Sequence, residues 1–372
     1  MGFRCGIVGL PNAGKSTLFN ALSRAQAAVA SYPFCTIEPN VGTVPVPDAR
    51  LESLARLFRP QRVVPATLQF VDIAGLVRGA SRGEGLGNQF LAHIREVDAI
   101  AHVVRCFENQ EVSHLEGTVD PVRDAGIVDT ELALADLQLL ERHLDKLRRQ
   151  VKAGDPGSRE ELVRLEALVA RLDRGEPARE AAENVGGLPL LTAKPMLYVA
   201  NVGEEDLPLA EERIAPLREY AAQRACPLII LCARLEAELE ELDEEEERRA
   251  FMRAYGLARS GLEELVQEGY RLLQLITFFT VDGPEVRAWT VRAGTPAVQA
   301  AAKIHSDFAR GFICAEVVDH AVLLACGSLA EARERGLVRL EGRDYPVQDG
   351  DVIHFRFHVA PEQRGGRGPD RP

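Results

Sequence analysis

Hydrophobic residues along the chain follow two different spacings, and each spacing predicts a different kind of element. Short, continuous apolar runs rich in β-branched residues predict strands. Such runs lie at residues 3–8, 68–72, 100–105, 196–200 and 228–231. A helix is predicted directly after the first run, over residues 17–22. The alternation of strand and helix signals predicts an α/β domain.

A second spacing interrupts this alternation. Apolar residues step by three and four at Leu137, Leu140, Leu144, Leu147 and Val151, and again at Leu162, Leu165, Val169 and Leu172. This spacing is typical of a heptad seam. The break at residues 154–158 predicts that the two stretches are the arms of a helical hairpin. Because strand signals return at residue 196, the hairpin is predicted to be inserted into the α/β domain.

The last part of the chain has a third character. Residues 235–275 are rich in Glu and Leu and predict helices, with residues 244–247 on a solvated face. From residue 276, short strands with one helix predict a small α+β module. Its strands are expected at 278–281, 286–291 and, as strand, turn and strand, at 345–357, with a turn at 283–284. The predicted bounds are 1–130 with 190–276 for the α/β domain, 131–189 for the hairpin, 277–361 for the module and 362–372 for a disordered tail.

Residues 9–17 combine a glycine-rich turn with a strand before it and a helix after it. Their sequence, Gly-Leu-Pro-Asn-Ala-Gly-Lys-Ser-Thr, fits the pattern G-x-x-x-x-G-K-[ST] of a phosphate-binding loop. Glycine lets the backbone N–H groups point at phosphate oxygens, and the helix N-terminus adds partial positive charge. The sequence therefore predicts a P-loop nucleotide site. Its phosphate ligands are predicted to be Asn12, Ala13, Gly14, Lys15, Ser16 and Thr17, with Lys15 also catalytic.

Three oxygen-bearing residues predict a magnesium site beside that loop. The Ser16 hydroxyl and the Asp72 carboxylate, at the end of a strand, are suitable Mg²⁺ ligands. Thr36, in the loop 32–40, is predicted to complete the coordination when a γ-phosphate is present, which makes it a switch residue. Gly75 is predicted to offer its N–H group to that phosphate.

The base is predicted to bind where Asn201-Val202-Gly203-Glu204 leaves a strand. Guanine-binding proteins carry Asn-Lys-x-Asp there, and the Asp carboxylate accepts two N–H groups of guanine. Here Val202 replaces the Lys and Glu204 replaces the Asp, which relaxes the rejection of adenine and favours ATP. A GTPase remains the alternative. Residues Cys232, Ala233 and Arg234 are predicted to supply backbone contacts to the base.

The residue that positions the attacking water is less clearly marked. Leu76 stands where many switch GTPases have Gln, and an aliphatic side chain cannot orient water, so slow intrinsic hydrolysis is expected. His114, in a polar segment, is the candidate that could position or deprotonate water instead. A second hypothesis gives Asn12 a monovalent cation, K⁺, that bridges the phosphates.

Composition limits the class of protein. The formal net charge of −12 argues against free nucleic acid, including sequence-specific DNA, as a partner. No apolar run is long enough to span a membrane and no secretory signal is evident, so a cytoplasmic protein is expected. Seven cysteines without a Cys-x-x-Cys pair argue against disulfides and structural zinc.

Taken together, these motifs resemble the YchF family, also called Obg-like ATPases, over nearly the whole chain. The resemblance rests on residues 9–17, 32–40, 72–77, 114–121, 201–204, 300–308 and 311–313. It implies a P-loop G domain, an inserted coiled-coil hairpin and a C-terminal TGS domain of β-grasp type. The tail past Ala360 is longer and richer in Arg than the family leads one to expect.

The resemblance also implies an activity. The family prefers ATP to GTP, which matches Asn201, Val202 and Glu204, and it assigns a catalytic part to a loop histidine at the position of His114. It implies an ATP-hydrolysing switch that associates with the ribosome and responds to redox conditions, for which Cys35 beside Thr36 is the candidate sensor. A ribosome-binding adaptor that holds nucleotide mainly for structure remains a rival hypothesis.

Overall fold

The protein is described by a computed structural model over residues 2–27, 40–73, 86–109, 112, 114, 116–179, 187–281 and 283–358. The chain divides into two compact units, one of Met1–Val46 with Thr67–Leu273 and one of Pro47–Ala66 with Gln274–Pro372. The second unit thus includes residues 47–66, which the sequence analysis assigned to the first domain. Among the described residues, no helix has the length and apolar character needed to cross a bilayer.

The first unit is built on a six-stranded sheet. Its strands are β1 (Arg4–Val8), β2 (Val41–Pro45), β4 (Thr67–Asp72), β5 (Ala99–Arg105), β6 (Met196–Asn201) and β7 (Leu228–Leu231). They lie in the order β2-β4-β1-β5-β6-β7, all parallel except β2, which pairs antiparallel with β4 at the edge. Strands β5 and β6 are buried at every position, which explains their continuous apolar sequences.

Helices cover the sheet and extend from it. They are α1 (Lys15–Ala27), α3 (Leu86–Glu96), α4 (Pro121–Lys152), α5 (Pro156–Asp173), α6 (Ala210–Arg213), α7 (Ala215–Gln223), α8 (Ala233–Leu239), α9 (Glu245–Ala254), α10 (Gly261–Leu272) and a 3-10 helix, Glu204–Leu209. The buried core of this unit runs from Val8 and Ile100 on the sheet to Val128 and Leu217 on α4 and α7. The root of α4 is therefore part of the core of the nucleotide domain.

The predicted hairpin is formed by α4 and α5. Asp120 caps α4 by accepting the N–H of Arg123 at 3.0 Å, and Pro121 occupies the first turn, where its missing donor costs nothing. The seam buries Leu140, Leu144, Leu147, Leu165, Leu168 and Leu172, so Leu168 joins it and Val169 is only partly buried. The loop between the two arms follows Lys152 and ends before Pro156, so it overlaps the start of the predicted break at residues 154–158.

The second unit also contains a six-stranded sheet. Its strands are β3 (Arg62–Val64), β8 (Leu275–Thr280), β9 (Glu285–Arg292), β10 (Phe312–Asp319), β11 (Arg339–Glu341) and β12 (Asp351–Phe357), in the order β11-β10-β12-β8-β9-β3. Its helices are α2 (Ala49–Phe58), α11 (Ala297–Ile304), α12 (Ser306–Arg310), α13 (His320–Cys326) and α14 (Leu329–Glu334). A central parallel pair, β12 and β8, is flanked by antiparallel strands, and α11 packs on the sheet in the β-grasp manner.

Most predicted elements are confirmed, and two details of the C-terminal module were wrong. Residues 277–358 contain four short helices, not one, because each helix is set by its own local cap, such as Asp319 or Ser328, and not by a long periodic pattern. The first arm of the predicted strand–turn–strand is reduced to an isolated bridge between Pro296 and Pro346. Proline lacks the N–H group that a continuous ladder needs.

Candidate functional site

The phosphate-binding loop joins β1 to α1 in a conformation that its glycines make possible. Gly14 has φ +95°, and a Cβ atom there would lie 2.1 Å from the Nδ2 atom of Asn201. At Gly9, φ is +153°, and a Cβ atom would lie 2.3 Å from the carbonyl oxygen of Val103. Asn12 also has a positive φ, 65°. Glycine is therefore required at both ends of the loop for steric reasons as well as conformational ones.

Lys15 begins helix α1 and lies largely buried behind the loop. Its side chain is 7% exposed, and its Nζ donates to the carbonyl oxygen of Leu10 at 2.8 Å. Burial lowers the pKa of Lys15 to about 8, against the opposing effect of Asp72. A buried ammonium group with a carbonyl as its partner is suited to exchange that partner for a phosphate oxygen.

The described part of the predicted magnesium site consists of two residues. Asp72 ends β4, and its carboxyl group has a raised pKa because of burial, with Lys15 acting in the opposite direction. Ser16 is exposed in the first turn of α1, as is Thr17. A hydroxyl and a carboxylate are hard oxygen donors of the kind that Mg²⁺ selects, so these residues fit that ion. Thr36 and Gly75, together with Cys35 and Leu76, lie outside the described residues.

Asn201 connects the phosphate loop to the base-binding end. Its side chain is 4% exposed; Nδ2 donates to the carbonyl oxygen of Ala13 at 2.9 Å, and Oδ1 accepts the N–H of Ala233 at 3.0 Å. One amide group thereby joins the loop after β1 to the start of α8, after β7. Because it satisfies a buried donor and a buried acceptor at once, it fixes the distance between the two segments.

A cleft of about 510 Å³ opens beside this amide. It is lined by eight residues that the sequence predicted, namely Gly14, Thr17, Asn201, Val202, Glu204, Cys232, Ala233 and Arg234. They come from three segments that follow β1, β6 and β7, so the carboxyl ends of parallel strands meet here as they do in other open α/β sheets. The cleft is large enough for a small-molecule ligand.

Sequence reasoning missed several residues of the cleft. Phe107 and Asn109 line it from the segment after β5, and Asp206 and Arg213 form an ion pair of 2.6 Å beside it. The signal that could have found the first two is their position directly after a central parallel strand. The buried Arg105 side chain supports this segment by donating to the carbonyl oxygens of Phe107, Asn109 and Val112.

The carboxylate of Glu204 has a partner that no sequence motif predicted. The hydroxyl of Tyr255, directly after α9, donates to its Oε1 at 2.7 Å. This hydrogen bond is also the largest of the effects that raise the pKa of Tyr255. Part of the acceptor capacity of Glu204 is thus used within the protein.

His114 lies apart from the cleft. Its side chain is 8% exposed; Nε2 is 2.7 Å from Oδ2 of Asp124, and Nδ1 accepts the N–H of Glu116 at 3.1 Å. It lines a small cavity together with Leu10 and Pro11 of the phosphate loop. The predicted catalytic residue is therefore adjacent to the loop, with both ring nitrogens occupied.

The remaining candidate chemistry is limited. The six described cysteines are free thiols, four of them buried. Within the described ranges, no group of three or more His, Cys, Asp or Glu side chains is arranged to hold a metal ion. Burial raises the pKa of Cys5 and of Cys106 to about 12, so these thiols are not nucleophiles.

The sheet order, the glycine-dependent loop and the cleft define a P-loop nucleotide-binding protein. Comparison with family models agrees: a model described as a 50S ribosome-binding GTPase matches residues 4–134. A second model, named for the C-terminal domain of YchF GTPases and described as a protein of unknown function, matches residues 275–358.

Full-length relatives identify the family. The chain is 50% identical over 365 residues to the ribosome-binding ATPase YchF of Haemophilus ducreyi, covering 96% of this chain and all of that one. It is also 50% identical over 367 residues to the protein of the same name from Bacillus subtilis, with the same coverage. The chain belongs to the YchF family.

Solved structures agree with the fold. The YchF GTPase of Schizosaccharomyces pombe matches with a TM-score of 0.85 and 36% identity, over 95% of this chain and 98% of that one. A GTP-binding protein from Pyrococcus horikoshii matches with a TM-score of 0.60 at 20% identity, over 96% of this chain and all of that one, which supports the fold alone. The prediction of a P-loop domain followed by a separate C-terminal domain is confirmed.

Proposed function

We propose that this protein is an ATP-hydrolysing switch of the cytoplasm that binds the ribosome. The observation that carries the proposal is the cleft in which Gly14 and Thr17 meet the segment 201–204. It occurs on a chain that matches proteins named ribosome-binding ATPases at 50% identity over their full length. The nucleotide is the substrate, and the ribosome is the partner that responds to whether ATP or its hydrolysis product is bound.

Preference for ATP follows from the base end of the cleft. Glu204 has one of its acceptor sites engaged by the Tyr255 hydroxyl, so it is less well placed to accept both guanine N–H groups. A site that pairs poorly with those groups gains little binding energy from guanine and leaves the guanine N–H donors unsatisfied. Adenine lacks them and loses nothing. Val202 contributes an apolar contact where guanine-binding proteins have a Lys.

Ser16, Thr36 and Asp72 would hold Mg²⁺ beside the phosphates. When bound, this ion supplies charge neutralisation at the β- and γ-phosphates. Lys15 binds the same phosphates and stabilises the negative charge that develops on them. Gly75 offers a backbone N–H group to the γ-phosphate, and ordering of the Thr36 and Gly75 segments marks the ATP state. Asn12, exposed in the loop, would hold K⁺ if a monovalent cation takes part.

His114 is the proposed catalytic residue for water, in place of the Gln that Leu76 replaces. Its proximity to Leu10 and Pro11 supports this role. In this proposal the split G domain binds ATP, while the hairpin (131–189) and the C-terminal module (277–361), which lies in one unit with residues 47–66, serve partner binding. Cys35, next to Thr36, is the proposed site of redox control, and the tail (362–372) has no assigned role.

Competition between ATP and GTP for a fluorescent nucleotide tests the substrate, and a Lys15→Ala variant tests the site. ATP should displace the probe about tenfold better than GTP, because guanine N–H groups left without an acceptor in the site cost on the order of 1–3 kcal/mol. Lys15→Ala should lose both nucleotides. A preference for GTP would overturn the ATP assignment. Ribosomes should co-sediment with the protein and accelerate turnover, whereas binding without any turnover would favour the adaptor hypothesis.

A further inference from the structure

Asp124 is a buried carboxylate that no motif marked. It lies in the first turn of α4, is 3% exposed, and uses its two oxygens for different partners. Oδ1 accepts hydrogen bonds from Nε and Nη2 of Arg123 at 3.1 and 2.9 Å, and Oδ2 lies 2.7 Å from Nε2 of His114. A buried carboxylate needs such partners, because its burial alone is costly.

The two contacts of His114 fix which nitrogen carries the proton. The backbone N–H of Glu116 can only donate, so Nδ1 must present its lone pair. In the neutral ring the proton is then on Nε2, which donates to Asp124. Asp124 and the Glu116 amide therefore select one tautomer of the ring and one orientation.

Of these two contacts, the one with Glu116 is easier to open. It is a 3.1 Å bond to a neutral backbone amide two residues along the chain. The contact with Asp124 is 2.7 Å long, involves a buried carboxylate, and would leave that charge short of a donor if it broke. A change beside the phosphate loop should thus free Nδ1 while Nε2 stays on Asp124.

We propose that Asp124 is a positioning residue for hydrolysis, which holds His114 so that Nδ1 accepts from the attacking water. Water gives a proton to Nδ1 as its oxygen bonds to the γ-phosphorus; the bond to the β–γ bridging oxygen breaks, and its electron pair leaves with ADP. The imidazolium, stabilised by Asp124, then returns the proton to the phosphate product. This inference rests on the proposed catalytic role of His114.

Asp124→Asn is the decisive variant. Asn has one oxygen and one NH₂ group, so it cannot accept from both Arg123 and His114. If the oxygen stays with Arg123, the NH₂ group faces Nε2 and forces the proton onto Nδ1, the wrong tautomer for accepting from water. We expect kcat for ATP to fall between about 10-fold, as for carboxylates that orient a metal-bound His, and about 10⁴-fold, as for the aspartate of a Ser-His-Asp triad, with KM and nucleotide affinity within about twofold.

Asp120→Asn is the matched control, since it removes one carboxylate charge from the start of the same helix while Asn can still cap the N–H of Arg123, and the hydrogen bonds of His114 go to Asp124 and Glu116. It should keep its kcat, which separates the loss of a negative charge at this end of α4 from the positioning of His114. In a His114→Ala background, Asp124→Asn should cause no further loss of kcat, because the two residues act as one functional pair that His114→Ala already disables.

The outcomes separate this inference from the proposed function. If His114→Ala keeps full turnover, the role of His114 is wrong and the inference falls with it. If His114→Ala is impaired while Asp124→Asn retains kcat, only the positioning role is contradicted. An equal loss from Asp124→Asn with and without His114 would also overturn it, because Asp124 would then act through another group.

Discussion

The two ends of the nucleotide cleft are built on different principles. The phosphate end comes from one contiguous stretch, residues 9–17, and uses main-chain geometry that depends on Gly9 and Gly14. The base end is assembled from side chains of distant segments, with Glu204 held by Tyr255 and Asn201 spanning to Ala233. A main-chain site tolerates little change, whereas a side-chain site can be altered in steps, so in the proposed function the phosphate end would fix nucleotide binding and the base end would adjust its specificity.

Substitution of Gly14 by Ala should have the largest effect. The new Cβ atom would meet Asn201 at 2.1 Å in a backbone conformation with φ +95°. Strain and steric clash together should exceed about 3 kcal/mol and weaken ATP binding roughly 100-fold or more. Titration with a fluorescent ATP analogue measures the loss.

Gly154→Ala is the control for that prediction. Gly154 also has a positive φ, +87°, but no atom lies within 4 Å of its Cβ position. This variant should bind ATP like the parent protein, although the positive φ should cost about 1 kcal/mol of stability. Equal ATP affinity in Gly14→Ala and Gly154→Ala would show that the phosphate end is not limited by its main chain.

Asn201 tests the link between the two ends. Asn201→Ala leaves the Ala13 carbonyl and the Ala233 N–H without their buried partner, which should cost about 2–4 kcal/mol shared between stability and binding. We expect ATP affinity to fall roughly 10- to 100-fold, as measured by calorimetry.

Asn201→Asp separates the contribution of the Ala233 contact from that of the Ala13 contact. The Asp side chain can still accept from Ala233 but cannot donate to Ala13. It should therefore retain the base-end contact, lose the phosphate-end contact and fall below Asn201→Ala in ATP affinity, since it adds negative charge near phosphates. If both variants bind like the parent, the two ends are not coupled through this amide.

The pH dependence of binding sharpens the view of the phosphate end. The pKa of Lys15 is lowered to about 8, so at pH 8 about half of the free sites lack the proton that phosphate binding restores. ATP binding should take up about half a proton at pH 8 and weaken a few-fold toward pH 9. Calorimetry in buffers of different ionisation enthalpy measures this uptake.

The same shift sets the sign of a stability effect. The folded pKa lies below the unfolded value of 10.5, so the unfolded chain binds more protons between about pH 8 and 10.5. The contribution of Lys15 to the free energy of unfolding therefore increases with pH in that window. Lys15→Met should abolish this contribution, as measured by denaturant unfolding at pH 8 and at pH 10; an unchanged pH dependence of stability would assign it to another group.

Tyr255→Phe is the mildest test, at the base end. It keeps the aromatic ring but removes the hydroxyl that engages Glu204. Because this contact is partly exposed to solvent, its loss should shift the ATP-to-GTP affinity ratio by only about threefold, toward GTP. A shift toward ATP in the competition assay would contradict the proposed part of Glu204.

The same contrast explains what could be predicted from the sequence. The phosphate end is local, so its residues, the strand before it and the helix after it follow from one motif and its flanks. The segment 201–204 was found because it leaves a buried apolar strand. Tyr255 was not, because it follows a helix whose Glu-rich start indicates only a solvated face, and the contact joins residues 51 positions apart.

Long-range pairing was also hidden. Strand β3 is three residues long and pairs in parallel with β9, more than two hundred positions later, which brings residues 47–66 into the second unit. A three-residue strand has too little pattern to identify. His114 was expected in a polar segment, yet its side chain is buried against the Asp124 carboxylate. Nothing in the local sequence reveals that partner.

Helix α4 has a mechanical consequence. It is one continuous rod of 32 residues, and at about 1.5 Å per residue it measures about 48 Å. Its first part, from Asp124 to Asp136, is embedded in the core, so only about 24 Å of it projects, and a tilt of about five degrees moves the tip by about 2 Å, by simple leverage along a helix of this rise. A partner bound at the hairpin tip, as proposed above, would in this way sense an event near the phosphates without approaching the nucleotide.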